Sequence, residues 1–338
     1  MPNAAAGAPK HATGAALWIN MAIIYVIWGS TYFGIAVAIE TMPPFLMAAI
    51  RFAIAGAILL AWDLLRNPEA RRLPSRRQLR DSFIVGALLL GIGNGFVVFG
   101  EKTVPSGIAA ILIAMMPLWF AILGWLYFRD KLPKLVAFAI AVGFAGTALL
   151  IWPVGQGANL FDPVGIVILL IAPLGWAHGS LYSIKKASLP PSGFSASGYQ
   201  MLAGAIVTGI EAVIAGEPAQ FHPESISTAS IAALVYLVFI GSMLAFTSYA
   251  WLLKNAPLSL IGTYAYVNPV VAVFLGSVFL HEEITVRTII ASGVILAAVA
   301  IIVAVRGRLP SSGEGVEGTE ASDEVGTPGS VGRAPQRP

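Results

Sequence analysis

The chain has 338 residues, of which 57% are hydrophobic and only 11% are charged. Soluble domains carry about 25% charged residues, so this composition excludes an ordinary soluble protein and indicates a polytopic membrane protein. The net charge of +3 does not indicate nucleic-acid binding, because the basic residues lie in short loops. The chain contains no cysteine, which excludes a disulfide framework and a thiolate metal site.

Ten apolar runs follow one another along the chain. Each is close to the roughly 20 residues that a membrane-spanning helix requires. The preceding residues 1–16 are predicted to form a cytoplasmic N-terminal segment without a cleavage site. The final residues 309–338 are rich in Gly, Ser, Glu and Pro and are predicted to be a disordered cytoplasmic tail. The predicted spans are residues 17–38, 44–64, 82–100, 105–127, 134–152, 164–184, 194–214, 229–251, 258–280 and 286–305.

Lysine and arginine are distributed unevenly between the two sides of the predicted bundle. With a cytoplasmic N terminus, 17 basic residues fall in cytoplasmic segments, whereas Lys102 and Arg287 fall in outer loops. The remaining basic residue, Arg51, lies inside the second predicted span. Cytoplasmic loops of membrane proteins carry an excess of positive charge. We therefore predict that both termini are cytoplasmic, which requires an even number of spans.

One pattern of proline, glycine and acidic residues occurs twice at a constant interval. Each copy covers five predicted spans, and this odd number makes the second copy enter the membrane from the opposite side. The predicted fold is therefore an all-α membrane protein of ten transmembrane helices in two inverted five-helix repeats, residues 17–152 and 153–308. The matching residues, 152 positions apart, are Pro105 and Pro257, Pro117 and Pro269, Gly124 and Gly276, and Asp130 and Glu282.

Four stretches of the sequence resemble those of a known family. They are WGSTYFGIA at 28–36, PPFLMAAIRFAIAG at 43–56, GIGNGFVVFGEKTVPSGIAAIL at 91–112 and TYAYVNPVVAVFLGSVFLHEEIT at 263–285. Over residues 17–305 the chain resembles the EamA-type transporters, ten-helix bacterial exporters of the drug/metabolite transporter superfamily. One departure is Asp130, where the first repeat of this family usually has glutamate. The resemblance implies export of amino acids, related metabolites or drugs across the inner membrane, without fixing the substrate.

The main candidate site lies beside the two mid-span prolines. Tyr264 and Asn268 are one helical turn apart, directly before Pro269, which cannot donate a backbone hydrogen bond and frees a carbonyl one turn back. The fourth span has the apolar Met116 and Trp119 near its own proline. We expect Tyr264 and Asn268 to face Met116 and Trp119 across a cavity with one polar and one apolar wall, suited to an amphipathic solute. The alternative is that both prolines only bend their helices.

Further candidates for the cavity are polar and aromatic residues in other spans. An indole N–H in lipid requires a partner, so a mid-membrane tryptophan faces a cavity or packs against another helix. Trp28 and Tyr32 share one face of the first span. Asn94 lies in a GIGNG stretch of the third span, where it lines the cavity or packs between helices. The complete set of candidate substrate-binding residues is Trp28, Tyr32, Asn94, Met116, Trp119, Trp176, His178, Tyr249, Tyr264 and Asn268.

Two ionisable residues inside predicted spans are candidates for charge-dependent roles. Arg51 either binds a substrate carboxylate or has a structural role. His178 is the candidate for proton coupling, because an imidazole titrates near neutral pH, and a packing histidine is the alternative. No carboxylate lies at the centre of a predicted span. Transport is therefore coupled through His178, coupled through acids at the helix ends, or uncoupled.

The leading hypothesis is an exporter of small organic metabolites that works by alternating access around a central cavity. A sugar-phosphate or nucleotide-sugar carrier would need several cations in that cavity, and Arg51 is the sole central one. An intramembrane enzyme is disfavoured because no nucleophile–base pair or metal motif is present. A structural or lipid-scrambling role is the remaining alternative. We predict no catalytic residue, cofactor or metal, a small-molecule substrate and the lipid bilayer as partners, no nucleic acid, and a monomer or weak dimer.

Overall fold

A computed structural model of the protein describes residues 14–129, 133–151 and 162–306. These ranges contain no strand and form ten principal helices. The predicted tail at 309–338, most of the segment at 1–16, and Asp130 lie outside the described residues. The helices are α1 (Ala15–Ile39), α2 (Pro44–Arg66), α3 (Arg76–Gly100), α4 (Ser106–Tyr127), α5 (Lys134–Ile151), α6 (Pro163–Lys185), α7 (Gly193–Ile214), α8 (Thr228–Asn255), α9 (Tyr264–Phe279) and α10 (Val286–Arg306).

Eight of these helices are long and apolar enough to cross a membrane by length and composition. The other two, α5 and α9, are apolar but shorter. Hydrocarbon offers no hydrogen-bond partner to a backbone N–H or C=O group, so a chain this apolar satisfies its backbone within helices. The prediction of an all-α protein with several candidate membrane spans is therefore confirmed.

The ninth predicted span, residues 258–280, is not one continuous helix. A single turn, Leu258–Ile261, is followed by a break, and α9 begins at Tyr264. Pro269 lies inside α9, so the interruption precedes this proline rather than coinciding with it. A similar break separates Ser106–Ile113 from Met116–Phe128 in α4, where Pro117 occupies the first turn of the second segment. Proline is tolerated in a first turn because the backbone N–H groups there lack helical partners.

Two other helices, α3 and α8, contain π-helical stretches. These comprise Ala87–Gly95 in α3 and Leu237–Leu244 in α8. Such bulges are often found at functional sites, because they change which side chains face the bundle interior. The start of α3 at Arg76 is earlier than the predicted residue 82, because Ser75 and Gln78 form a capping box there.

The helices α2 and α7 pack closely along one another. Their backbones approach at Gly56 and Gly198, where a Cβ atom on Gly56 would lie 2.9 Å from the Gly198 carbonyl oxygen. Close approach at small residues is how helices gain packing contacts in a membrane, where no hydrophobic force drives them together. Elsewhere, α1 packs against α8 and α9, α6 packs against α3 and α4, and α5 pairs with α10.

Carboxylates join the ends of α2 and α7 reciprocally. Asp63, near the end of α2, accepts hydrogen bonds from the backbone N–H (3.1 Å) and the hydroxyl of Ser195 near the start of α7. Glu217, just beyond α7, accepts the backbone N–H groups of Phe45 (3.1 Å) and Leu46 (2.7 Å) in the first turn of α2. Each acid therefore satisfies N–H groups that its partner helix leaves unpaired.

The substitution Glu217→Ala should destabilise the protein by about 1–3 kcal/mol, because it leaves two N–H groups at the start of α2 without an acceptor. The Glu217 side chain is buried. Burial raises the pKa of Glu217, although the Leu46 and Phe45 N–H groups and Lys102 oppose this rise. The measurement is the melting temperature in detergent. Glu217→Gln, which keeps an acceptor oxygen, should lose less stability than Glu217→Ala. Equal melting temperatures for wild type and Glu217→Ala would contradict the capping role.

Three carboxylates lie at one end of the bundle. Glu101 follows α3, Glu217 follows α7, and Glu282 follows α9. Glu101 interacts electrostatically with Glu282, and Glu217 interacts with Lys102, the residue next to Glu101. Glu101 therefore lies near Glu282, and Glu217 lies near the residue that follows Glu101; we call this part of the bundle the acidic end.

Candidate functional site

A cavity lies among α1, α2, α3, α4, α6 and α9. It contains about 530 Å³ of empty space, part of it open to solvent. The interior of a helical bundle is a common place for the binding site of a small organic ligand, and we call this space the central cavity. It is lined by Trp28, Thr31, Tyr32, Ile35, Arg51, Gly93, Asn94, Val97, Ile113, Met116, Ala172, Pro173, Trp176, Tyr264 and Asn268.

Most of the residues predicted to bind substrate line this central cavity. They are Trp28, Tyr32, Asn94, Met116, Trp176, Tyr264 and Asn268, and Arg51 lines it as well. The predicted pairing across the cavity is present in part, since the Tyr264 hydroxyl donates to the Met116 sulfur at 3.4 Å. Three predicted residues, Trp119, His178 and Tyr249, do not line the cavity.

Trp119 lies outside the central cavity although Met116 lines it. Its ring packs edge-on against Phe144 of α5, with centroids 6.0 Å apart. The expected position of Trp119 opposite Tyr264 and Asn268 is therefore corrected: α4 restarts at Met116 after its break, and the indole three residues later contacts α5.

His178 also lies outside the central cavity. It borders a separate pocket with Leu181, Tyr182, Lys186 and Tyr127, and its ring centroid is 5.3 Å from that of Tyr127. Two residues along a helix rotate the side chain by about 200°, so His178 faces away from the wall formed by its neighbour Trp176. Proton coupling through His178 stays a prediction, and its side chain has no contact with the central cavity.

An aromatic cluster forms one wall of the cavity. The Trp28 ring lies 5.3 Å from Trp176, 5.4 Å from Tyr264 and 4.9 Å from Tyr249, measured between centroids. Tyr249 lies behind this wall, where its hydroxyl accepts the Trp176 indole N–H at 3.0 Å and pairs with Ser180 at 2.8 Å. Edge-to-face contacts of this kind fix the ring orientations. The wall is consequently mostly aromatic, and the indole N–H of Trp176 is already satisfied.

Arg51 places a positive charge against the opposite part of the cavity. Its side chain is only 3% exposed, although α2 lies within an apolar bundle. The Nε donates to the Ser242 hydroxyl at 2.7 Å, and a terminal nitrogen donates to the Asn94 side-chain oxygen at 3.4 Å. Among the described residues no carboxylate lies within salt-bridge distance of this guanidinium. Neutral partners thus hold Arg51 in place without neutralising it.

Asn268 ties α9 to α1 at the edge of the cavity. In the amide orientation that satisfies its neighbours, its nitrogen donates to the carbonyl oxygens of Tyr25 at 2.9 Å and Ile24 at 3.3 Å. The helices are close here, since a Cβ atom on Gly29 would lie 3.2 Å from the Asn268 Cα atom. Asn268 therefore positions α9 while its side chain borders the cavity.

Several lining residues were absent from the predicted set. Thr31 and Ile35 follow Trp28 by three and seven residues, and Val97 follows Asn94 by three. Helical periodicity places each of them on the same face as a predicted residue, so their spacing in the sequence could have predicted that all three line the cavity. Pro173 and Ala172 carry no such polar or aromatic signal, and only the packing of α6 identifies them.

The sequence is similar to known membrane transporters over most of its length. It is 41% identical over 281 residues to the uncharacterized inner membrane transporter YedA of Escherichia coli K12, covering 82% of this chain and 88% of the relative. It is 28% identical over 305 residues to protein PecM of Dickeya dadantii, covering 88% and 95% of the two chains. A solved crystal structure with 21% sequence identity matches with a TM-score of 0.61, covering 88% of this chain and 100% of that one, and so shares the fold.

The profile of one family accounts for nearly all of the described chain. The profile of the EamA-like transporter family matches residues 16–152 and 163–304. These stretches contain every residue that lines the central cavity and all ten principal helices, apart from the first residue of α1 and the last two residues of α10. The family and the relatives indicate a membrane transporter rather than an enzyme. The chain therefore belongs to the EamA-like transporter family.

Proposed function

We propose that the protein is a secondary transporter that exports small organic carboxylates, amino acids above all, across the bacterial inner membrane by alternating access. The observation that carries this proposal is Arg51, a buried cation at the wall of the central cavity with no carboxylate within salt-bridge distance among the described residues. A buried charge is costly unless it is paired. A substrate carboxylate would supply the missing negative charge.

The other walls of the cavity suit the apolar part of such a substrate. Trp28, Trp176 and Tyr264 offer aromatic faces, and Met116 and Ile113 offer flexible and branched aliphatic groups. Arg51 can present two N–H groups to one carboxylate, which orients the ligand as well as holding it. Among the described lining residues Arg51 is the only cation. One cation matches one carboxylate better than a doubly charged phosphate.

The proposed architecture for alternating access is a pair of inverted repeats, residues 17–152 and 153–308. Symmetric contacts support this architecture. In the first repeat α1 packs on α8 and α9, and its counterpart α6 packs on α3 and α4, the counterparts of α8 and α9. Both α3 and α8 contain a π-helical stretch, and α4 and the segment leading to α9 are both interrupted. Arg129 and His281 are 152 positions apart, and both have an uncommon left-handed conformation, with φ of 53° and 54°.

The distribution of charge supports an orientation with both termini in the cytoplasm. In that orientation the basic loop that connects α2 and α3, and the ends of α6 and α8, face the cytoplasm. The acidic end then faces outward. We place the hinges at the breaks of α4 and before α9, because discontinuous helices at a repeat interface are where transporters of this kind bind substrate and move.

Export by cells that overproduce the protein tests the proposal. The panel pairs labelled aliphatic and aromatic amino acids with their amides, because an amide lacks the carboxylate that Arg51 would bind. Overproducing cells should release the acids faster than cells carrying an empty vector, with a smaller or no gain for the amides. Equal release of every panel member from both kinds of cell, with the protein present in the membrane, would refute the proposal.

A further inference from the structure

Glu101 is a buried carboxylate at the acidic end of the bundle. It follows the last residue of α3, and its side chain is 8% exposed. Neither of its two carboxylate oxygens has a hydrogen-bond partner among the described residues. An ionised carboxylate without partners is strongly disfavoured in such a place, and it takes up a proton instead.

The charged and titratable groups around Glu101 come from three other elements. Burial raises the pKa of Glu101 well above its usual range, Glu282 beyond α9 raises it further, and Arg51 of α2 opposes the rise. Tyr32 of α1 also interacts with Glu101 electrostatically. On the side of α6, Asp162 accepts N–H groups from the first turn of its own helix. The adjoining Lys102 is exposed to solvent.

Glu101 lies between the central cavity and the acidic end. Val97, which lines the cavity, precedes it by four residues and so shares its helix face. The carboxyl group is therefore about one turn nearer the acidic end than the cavity wall. Arg51, at the wall of the cavity, interacts electrostatically with Glu101, so a change of charge at the cavity also acts on this carboxyl group.

A clasp formed by Glu282 closes the acidic end beside Glu101. The two oxygens of Glu282 accept the backbone N–H groups of Ser106 at 2.7 Å and Gly107 at 3.0 Å, in the first turn of α4. A Cβ atom at Gly276 would collide with this carboxylate, so the glycine leaves room for it. The clasp holds the end of α9 against the start of α4, and these are two of the helices that line the central cavity.

We infer that Glu101 is the proton-binding residue of the transport cycle, which holds a proton while the Glu282 clasp is closed and exchanges it with water at the acidic end when the clasp opens. This inference rests on the proposed function and names its coupling ion. Loss of the proton creates a second negative charge beside Glu282, and repulsion between the two weakens the clasp. A substrate carboxylate at Arg51 would remove the positive charge that favours ionised Glu101, so substrate binding favours protonated Glu101 and the closed clasp.

Infrared spectroscopy tests proton binding directly, without any substrate. The purified protein in bilayers is titrated, and the C=O stretch of protonated carboxyl groups is followed. Wild type should keep a protonated carboxyl band at pH values where exposed glutamates are ionised, and Glu101→Gln should lose the part of that band that Glu101 contributes. Glu283→Gln, which removes an exposed neighbouring acid, should keep it. Absence of the band from wild type, or its full retention in Glu101→Gln, would overturn the inference.

A distance measurement tests the link to the clasp. Because the chain has no cysteine, spin labels can be placed at Lys102→Cys and Ile284→Cys, two exposed positions on either side of the clasp. In otherwise wild-type protein the distance between labels should lengthen as the pH rises. The distance between the labels should stay short at every pH in Glu101→Gln and long at every pH in Glu282→Gln. In His178→Asn it should change with pH as it does in wild type. The inference would be overturned if the distance between the labels still lengthened with pH in Glu101→Gln. It would also be overturned if His178→Asn alone abolished the change in distance with pH.

Both measurements are independent of transport. If no amino acid is transported but the Glu101 band and the distance change are present, the proposed substrate class fails while the proton site stands. If amino acids are transported and the band is absent from wild type, the proton site fails while the proposed function stands.

Discussion

Replacing Arg51 by glutamine should weaken binding of a substrate carboxylate roughly 10- to 150-fold. The estimate corresponds to the loss of charge-assisted hydrogen bonds of about 1.5–3 kcal/mol. Arg51→Lys should recover only part of the affinity, because an ammonium group lacks the planar fork of a guanidinium. Binding of tritiated L-leucine and L-phenylalanine to purified protein measures the effect.

The Arg51 prediction has a control in the ligand and a control in the protein. Leucinamide and phenylalaninamide carry no carboxylate, so their weak binding should be the same for wild type and Arg51→Gln. The melting temperature should change little, because Arg51 is hydrogen-bonded to the neutral Ser242 and Asn94 and its removal strands no ion-paired carboxylate. Wild-type affinity for the amino acids in a folded Arg51→Gln protein would show that Arg51 is structural.

Replacing Trp28 by alanine should change the substrate preference of the cavity. Trp28 contacts Trp176, Tyr249 and Tyr264, so its removal both enlarges the cavity and frees the neighbouring rings. Loss of the apolar contact with a leucine-sized side chain should cost about 1–3 kcal/mol, or roughly 5- to 150-fold in affinity. Substrates with bulkier side chains should lose less affinity, because those side chains fill the space that Trp28 vacates. Trp28→Phe, which keeps an aromatic ring, should retain most of the affinity.

Trp119→Ala is the matched control for the Trp28 substitution. Trp119 belongs to the same residue type and is partly buried, but it packs on Phe144 outside the central cavity. Its removal should lower the melting temperature without changing the ratio of affinities for leucine and phenylalanine. If Trp28→Ala and Trp119→Ala change this ratio equally, or if neither does, the aromatic wall does not select the substrate.

Helical periodicity and residue chemistry predicted much of the cavity. Trp28 and Tyr32 line it together because positions four apart share a helix face. Arg51 lines it because a cation inside an apolar span must face the bundle interior. The number and approximate positions of the helices could likewise be predicted from the apolar runs, whereas the starts of α3 and α9 were each misplaced by six residues.

Other features depended on tertiary contacts that a one-dimensional pattern does not contain. Trp119 is three residues from Met116, yet a break in α4 and the neighbouring α5 direct it away from the cavity. The interruption before α9 precedes Pro269, because where a helix breaks depends on its neighbours as well as on proline. Glu101 is near a helix end in sequence, and only the packing around it reveals that its carboxylate is buried and has no hydrogen-bond partner in the described part of the chain.

Counterflow in proteoliposomes tests the central claim most directly. Liposomes containing the purified protein are loaded with unlabelled L-leucine or L-phenylalanine and diluted into the same labelled amino acid. The account predicts transient accumulation of label by wild type and at least a tenfold smaller initial rate for Arg51→Gln at subsaturating substrate. Absence of accumulation for every aliphatic and aromatic amino acid with folded wild-type protein would contradict it, and so would equal rates for wild type and Arg51→Gln.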